Sequence, residues 1–241
     1  MKPLRESLLD DDFINKTDKM IKDEIKAFLK ENYRGSIKIS REPNADGKYE
    51  VSSTKDIIVK NRNITSLTNG MFVWMVVNGS FDCMSCNSLE SLEGAPKEVG
   101  GQFYCFGCLS LTSLKYAPEK VGGDFYCSFN KSLKSLEDSP KEVGGDFYCS
   151  RCPDLTSLEG APKEVGGQFY CFGCKSLKSL EGAPKVIGGN FDCSDCPSLN
   201  TLEGAPKEVG GDFNCLNCKV LFTKDDVKKV SNVKGKIKCK K

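Results

Sequence analysis

The stretch GGDFYCSRCPDLTSLEGAPKEV, from Gly144 to Val165, is one copy of a unit that recurs along most of the chain. Cys83, Cys105, Cys127, Cys149, Cys171, Cys193 and Cys215 stand 22 residues apart without an insertion. Phe81, Phe103, Phe125, Phe147, Phe169, Phe191 and Phe213 stand two places before them. A fixed period of this length marks stacked units, each burying its apolar side against its neighbours. Within the unit, Phe147-Tyr148-Cys149 alternates as a short strand with Phe and Cys inward. Cys152 follows three places on, then Leu155 and Leu158. Glu159-Gly-Ala-Pro162 reads as a turn, because Pro excludes a strand interior. Val165 is again apolar, and Gly166-Gly167 supplies the conformational freedom for a sharp re-entry into the next strand. No segment of the unit is long enough for a regular helix.

The inward order Phe-x-Cys-x-x-Cys-x-x-Leu-x-x-Leu resembles the leucine-rich-repeat pattern, with the last Leu pair one place later. Asn130 sets the register, standing where other coils carry the second Cys. That is the family's ladder position, which takes Asn or Cys. The resemblance covers about Asp56 to Cys239. It implies a right-handed β-solenoid of leucine-rich-repeat type, nearly straight, with one short parallel strand per coil. The wording SLEGAPKEVGG and FYC, with ESLLDDDF near the N-terminus, also resembles uncharacterised repeat proteins of gut bacteria and their phages. That closer resemblance implies no known activity.

The ends depart from the repeat, as terminal coils of a stack must. Val59, Asn61, Ile64 and Leu67 sit one period before Phe81, Cys83, Cys86 and Leu89 and read as a degenerate first coil. Ile237 and Cys239 mimic Phe-x-Cys two residues late, after a helix-like run from Lys224 to Ser231. Before the stack, Met20, Ile21, Ile25, Phe28, Leu29 and Tyr33 predict a helix over Asp18 to Tyr33, with Thr17 as its N-cap. Ser36 to Arg41 and Lys48 to Ser53 predict a hairpin. The division expected is therefore a small α+β cap over 1–55, with 1–16 loose, a solenoid over 56–222 and a basic C-terminal cap over 223–241. A docking helix for a partner is the alternative reading of the N-terminal helix.

Composition narrows the chemistry. The chain has no His, which removes the usual general base and the commonest nitrogen ligand of metals. Lys plus Arg is 35 and Asp plus Glu is 33, so a net charge of +2 gives no general pull toward nucleic acid or membrane. From Thr223 onward eight Lys face Asp225 and Asp226, an excess more simply solvated than bound to nucleic acid. There is no signal-peptide pattern and no apolar run of membrane-spanning length. Fourteen Cys in such a chain suggest reduced thiols in a cytoplasmic protein, in a host cytoplasm if phage-encoded.

The Cys-x₂-Cys pairs have a spacing that suits zinc, yet the spacing is forced by the coil, and Asn130 interrupts the series. Buried thiols acting as small apolar groups are the simpler expectation, so no metal or cofactor is expected. The outward side of the strands is the candidate site. Tyr104, Tyr126, Tyr148 and Tyr170 form one column, Asp124 and Asp146 flank it with Gln102 and Gln168, and Phe106 and Phe172 lie beyond. Such an aromatic strip suits a protein interface, although stacked rings would also stabilise a sheet copied by duplication. Lys131, Lys134, Lys175 and Lys178 read as a solvated edge. No P-loop, dinucleotide or nucleophile-elbow motif occurs. The expectation is a monomeric, non-catalytic protein-binding scaffold, the alternative a structural element of a larger assembly, metal-stabilised or not through its Cys-x₂-Cys pairs.

Overall fold

The computed structural model describes residues 11–239, with side chains from residue 16 onward. It is a β-solenoid of about nine turns with 22-residue spacing. Each full coil adds one two-residue strand to a ten-stranded sheet, running Tyr33–Arg34, Ile57–Val59, Phe81–Asp82 and onward to Phe213–Asn214 and Ile237–Lys238. All pairs are parallel except the first, where Tyr33–Arg34 lies antiparallel to Ile57–Val59. The register is one coil per step, with Phe125 opposite Phe103 and Phe147. Alternation along Phe-x-Cys therefore becomes two inward columns, and every Phe and first Cys of the seven coils is buried.

The core is a set of ladders in which each residue meets its own copy one coil away. Phe103 and Phe125 stack with centroids 5.5 Å apart, and Phe147 and Phe169 with centroids 5.1 Å apart. Burying each such ring contributes about 2–3 kcal/mol, and only a neighbouring coil makes that burial possible. The Leu pairs, such as Leu155 and Leu158, are fully buried too. The Pro of the turn is also buried, from Pro96 to Pro206, so it serves as a core residue and not only as a turn former.

A second side of the coil carries Glu98–Val99, Lys120–Val121 and Glu142–Val143 in a six-stranded sheet and Glu164–Val165, Val186–Ile187 and Glu208–Val209 in a four-stranded one. The Gly-Gly pair between this side and the next strand is required by proximity, which replaces the conformational reason given from sequence. A Cβ on Gly122, Gly144, Gly188 or Gly210 would lie 2.0–2.3 Å from a glycine carbonyl of the preceding coil. None of these glycines has positive φ. At Gly166 the same distance opens to 2.8 Å. The opening falls at the seam where Glu142–Val143 and Glu164–Val165 leave the two sheets unjoined.

The N-terminal helix α1 spans Asp11–Asn32, so it begins seven residues before Asp18 and Thr17 lies within it instead of capping it. Of the segment 1–16 expected to be loose, residues 11–16 are helical and 1–10 lie outside the described residues. Ile25 and Leu29 form the buried face of α1. The expected hairpin is present, with Lys38–Ile39 antiparallel to Tyr49–Ser53. Ile57, not Val59, is the partner of Phe81, so the first coil pairs 24 residues away, two more than the repeat. At the other end Ile237 pairs with Phe213, the same two-residue delay that the sequence shows. Helix α2, Lys224–Val230, is started by a capping box in which Thr223 and Asp226 exchange hydrogen bonds.

Candidate recognition surface on the parallel sheet

The outward residues of the ten-stranded sheet build the surface from two columns that support one another. In the first, the Ser, Asp and Asn side chains each accept a hydrogen bond from a backbone N–H one coil ahead, beginning with Ser80 Oγ from the N–H of Gln102 at 3.1 Å. Asp124 Oδ1 accepts from the N–H of Asp146 at 2.8 Å, and Asp146 Oδ1 from that of Gln168 at 2.7 Å. Asn190 does the same for Asp212, and Asp212 for Lys236. The choice of Asp, Asn or Ser at these places thus satisfies backbone donors where the Gly-Gly corner turns into the strand.

The second column holds the tyrosines. Tyr104, Tyr126, Tyr148 and Tyr170 lie ring on ring, with centroid separations of 4.9, 4.5 and 5.1 Å along the row. Each hydroxyl is tethered to the residue two places earlier. Tyr126 donates to Asp124 at 2.9 Å and Tyr148 to Asp146 at 2.7 Å, while Tyr104 and Tyr170 donate to Gln102 and Gln168. Gln102 and Gln168 also donate to Asp124 and Asp146, at 3.0 and 3.2 Å. The rings are accordingly half-buried, which corrects the expectation of a freely exposed row: stacking covers their faces and leaves edges and hydroxyl ends to solvent. Partial burial, and next to it the bonded Asp124 carboxylate, pushes the Tyr126 hydroxyl up to about 12. Burial with Asp146 raises Tyr148 in the same way. Tyr104, Tyr126 and Tyr148, all raised, remain neutral donors near neutral pH.

The flanking phenylalanines are separate. Phe172 meets Tyr170 edge-on at 6.5 Å. Phe106 lies 66 residues earlier, three coils away, or about 14 Å along the stack. Between them, Ser128 and Ser150 are buried rather than outward, and Ser128 Oγ accepts from the N–H of Ser150 at 3.0 Å. The two-column ridge was readable in part, since Asp, Asn, Gln and Ser at one repeat position announce side-chain acceptors. What sequence reasoning missed is the turn beyond it, where Arg151 sits over the rings of Phe129 and Phe172. The available signal was that neither residue is usual at a place held elsewhere by Gly, Asp, Asn or Ser.

The thiols are committed to the backbone inside the coil. Cys108, Cys152, Cys174, Cys196 and Cys218 each donate to the carbonyl of a first Cys in the preceding coil, at 3.2–3.4 Å. Asn130 takes this place in its own coil. Its Nδ2 donates to the carbonyls of Cys105 and Cys127, and its Oδ1 accepts from the N–H of Cys108 at 2.7 Å. Burial raises the inner thiols well above their ordinary range, and Cys152 and Cys174 to about 12. Among the described residues the cysteines are free, thirteen buried and Cys239 half-buried. No cluster of three or more Cys, Asp or Glu is arranged as a metal site among these residues. No helix among them is long and apolar enough to cross a membrane.

Comparison with protein-family models, curated proteins and solved structures gives no match, and none of these comparisons supports the resemblance to repeat proteins of gut bacteria and phages.

Proposed function

We propose that the chain is a non-catalytic scaffold that holds a protein partner on the outward face of its ten-stranded sheet. One observation carries this reading: the four tyrosines are already ordered, by stacking at 4.5–5.1 Å and by tethered hydroxyls. An aromatic surface fixed before binding loses little side-chain entropy when a partner covers it. Tyr is among the side chains that most often anchor interfaces. The carboxylates of Asp124 and Asp146 beside the rings favour a partner presenting basic or amide groups. The same tethering also supports the competing reading, a surface that only stiffens the stack.

Kinship with leucine-rich repeats belongs to this proposal, and its support is the way Asn130 spans backbone groups of its own and the preceding coil. A cytoplasmic setting belongs to it too, because thirteen buried free thiols suit a reducing compartment.

Charge can be separated from scaffolding with the double variant Asp124→Asn and Asp146→Asn. Asn keeps an oxygen for the next coil's N–H and its Nδ2 can donate to the Tyr hydroxyl oxygen, so folding should hold with only the bonds from Gln102 and Gln168 lost. A partner captured from the source cells should bind the variant more weakly and with less salt dependence. Equal capture by the folded variant would remove the acidic ridge from recognition.

A further inference from the structure

The residue before the second Cys, or before Asn130 in its place, adopts left-handed backbone in all seven coils, with φ of 54° at Ser85, 69° at Gly107, 60° at Phe129, 55° at Arg151, 71° at Gly173, 56° at Asp195 and 57° at Asn217. This conformation is easy for Gly, tolerated by Asn and Asp, and disfavoured by long or aromatic side chains. Most coils obey that preference. The two central, adjacent coils do not, and place Phe129 and Arg151 there.

Both side chains face outward. Phe129 is 47% exposed, and Arg151 is exposed beside it. The Arg151 guanidinium lies 5.4 Å from the Phe129 centroid and 5.6 Å from that of Phe172, one coil further on. It is held between two rings, which orients it, and it forms no hydrogen bond or ion pair with any described residue. A guanidinium has five N–H donors in a planar fork, and here they are unspent. Around it opens a shallow cleft of about 530 Å³, lined also by Lys131 and Lys175. Asp195 is the single carboxylate of that lining, and it already accepts from Asn217 at 2.9 Å.

From this geometry we infer a second recognition site, distinct from the tyrosine ridge, that takes an acidic segment of a protein partner. An Asp or Glu of that segment is received by the Arg151 fork, a pairing suited to bidentate geometry. An apolar neighbour of that acid lies against Phe129 and Phe172, and Lys131 and Lys175 add long-range attraction. The strain of two disfavoured residues is thereby assigned a use, in keeping with the tendency of such outliers to gather at functional positions. The sheet face is then electrically polarised across the coil, acidic at Asp124 and Asp146 and cationic at this turn.

The test uses the full chain and the variants Arg151→Gly and Phe129→Gly. Each installs a residue that other coils already carry at this place, so both should fold, with melting temperatures equal to or above that of the parent. A displayed library of random twelve-residue peptides is panned against the parent. The selected peptides should be rich in Asp or Glu next to an aromatic or aliphatic residue, and should bind either variant about ten-fold more weakly or worse. They should bind the Asp124→Asn, Asp146→Asn variant as well as the parent, which separates this site from the ridge. A pool without acidic enrichment, or acidic peptides that bind Arg151→Gly undiminished, would overturn the assignment. So would a clear fall in melting temperature of Arg151→Gly, because the cation–ring packing would then explain the residue by itself.

Discussion

Tyr126 and Tyr148 lie with ring centroids 4.5 Å apart and planes 5° from parallel, one coil above the other. Each has its hydroxyl fixed by an Asp two places earlier in its own coil. The pair is at once part of the fold and the centre of the proposed surface. Replacing Tyr148 by Ala should cost about 1–2 kcal/mol, from lost stacking and partial burial. Tyr148→Phe keeps the stack and should cost under about 1 kcal/mol. Phe147→Ala, which empties a fully buried site, should cost about 3–5 kcal/mol. Denaturant melts that rank Tyr148→Ala level with Phe147→Ala would contradict the inward and outward assignment.

The ladder position offers a sharper comparison. Asn130→Ala leaves the N–H of Cys108 and the carbonyls of Cys105 and Cys127 buried without that partner. A loss of about 2–4 kcal/mol is expected, mainly from the N–H of Cys108 and the carbonyl of Cys105, since the carbonyl of Cys127 keeps the Cys152 thiol as a donor. Asn130→Cys restores the residue that other coils use, whose thiol donates to the preceding coil, and should recover part of the loss. Equal melts for the Ala and Cys variants would show that the polar ladder contributes nothing.

How much of this was legible depends on where the cause of each feature lies. The coil and its inward Phe and Cys were readable because period 22 and period 2 are properties of the string. The α2 helix and the delayed pairing of Ile237 were readable for the same reason. The Gly-Gly corner and the buried Pro were misread, because their reason is a distance between coils and local turn preference says nothing of it. The tyrosines were placed on the correct face, yet their half-buried state follows from copies meeting at 4.5–5.1 Å, a consequence of stacking identical residues. Thr17 was a plausible cap locally, but α1 continues back to Asp11.

Stability should fall steeply at alkaline pH. Burial keeps the thiols of Cys83, Cys105, Cys127, Cys149, Cys171 and Cys193 protonated far above their ordinary range. In the unfolded chain they ionise from about pH 8.5. Above that pH the unfolded state binds fewer protons than the folded one, so stability decreases as pH rises, whereas below it the contribution is fully present. Each thiol removes about 1.4 kcal/mol per pH unit, and six together roughly 8, comparable with the whole stability of a domain. Circular dichroism under reducing conditions should show unfolding between about pH 9 and 11 that reverses on neutralisation. A fold unchanged at pH 11 would contradict the buried-thiol account.

The seam between the two smaller sheets should be visible in amide exchange. The N–H of Gly144 bonds to Val121 at 3.0 Å and that of Gly188 to Val165 at 2.9 Å, and the seam lies at Gly166 between them. Gly166 is expected to exchange about ten-fold faster or more than Gly144 and Gly188. Equal protection at the three glycines would mean that the ladder is continuous in solution.

Recognition through the tyrosine ridge can be caught in the source cells by site-specific photo-crosslinking. A photoreactive phenylalanine analogue replaces Tyr148 in one variant and Lys178, on the Leu edge of the coil, in another. The account expects a discrete protein adduct from position 148 and none from position 178, with the adduct lost when Asp124 and Asp146 are changed to Asn. No adduct from position 148 in the folded variant, or the same adducts from both positions, would contradict it.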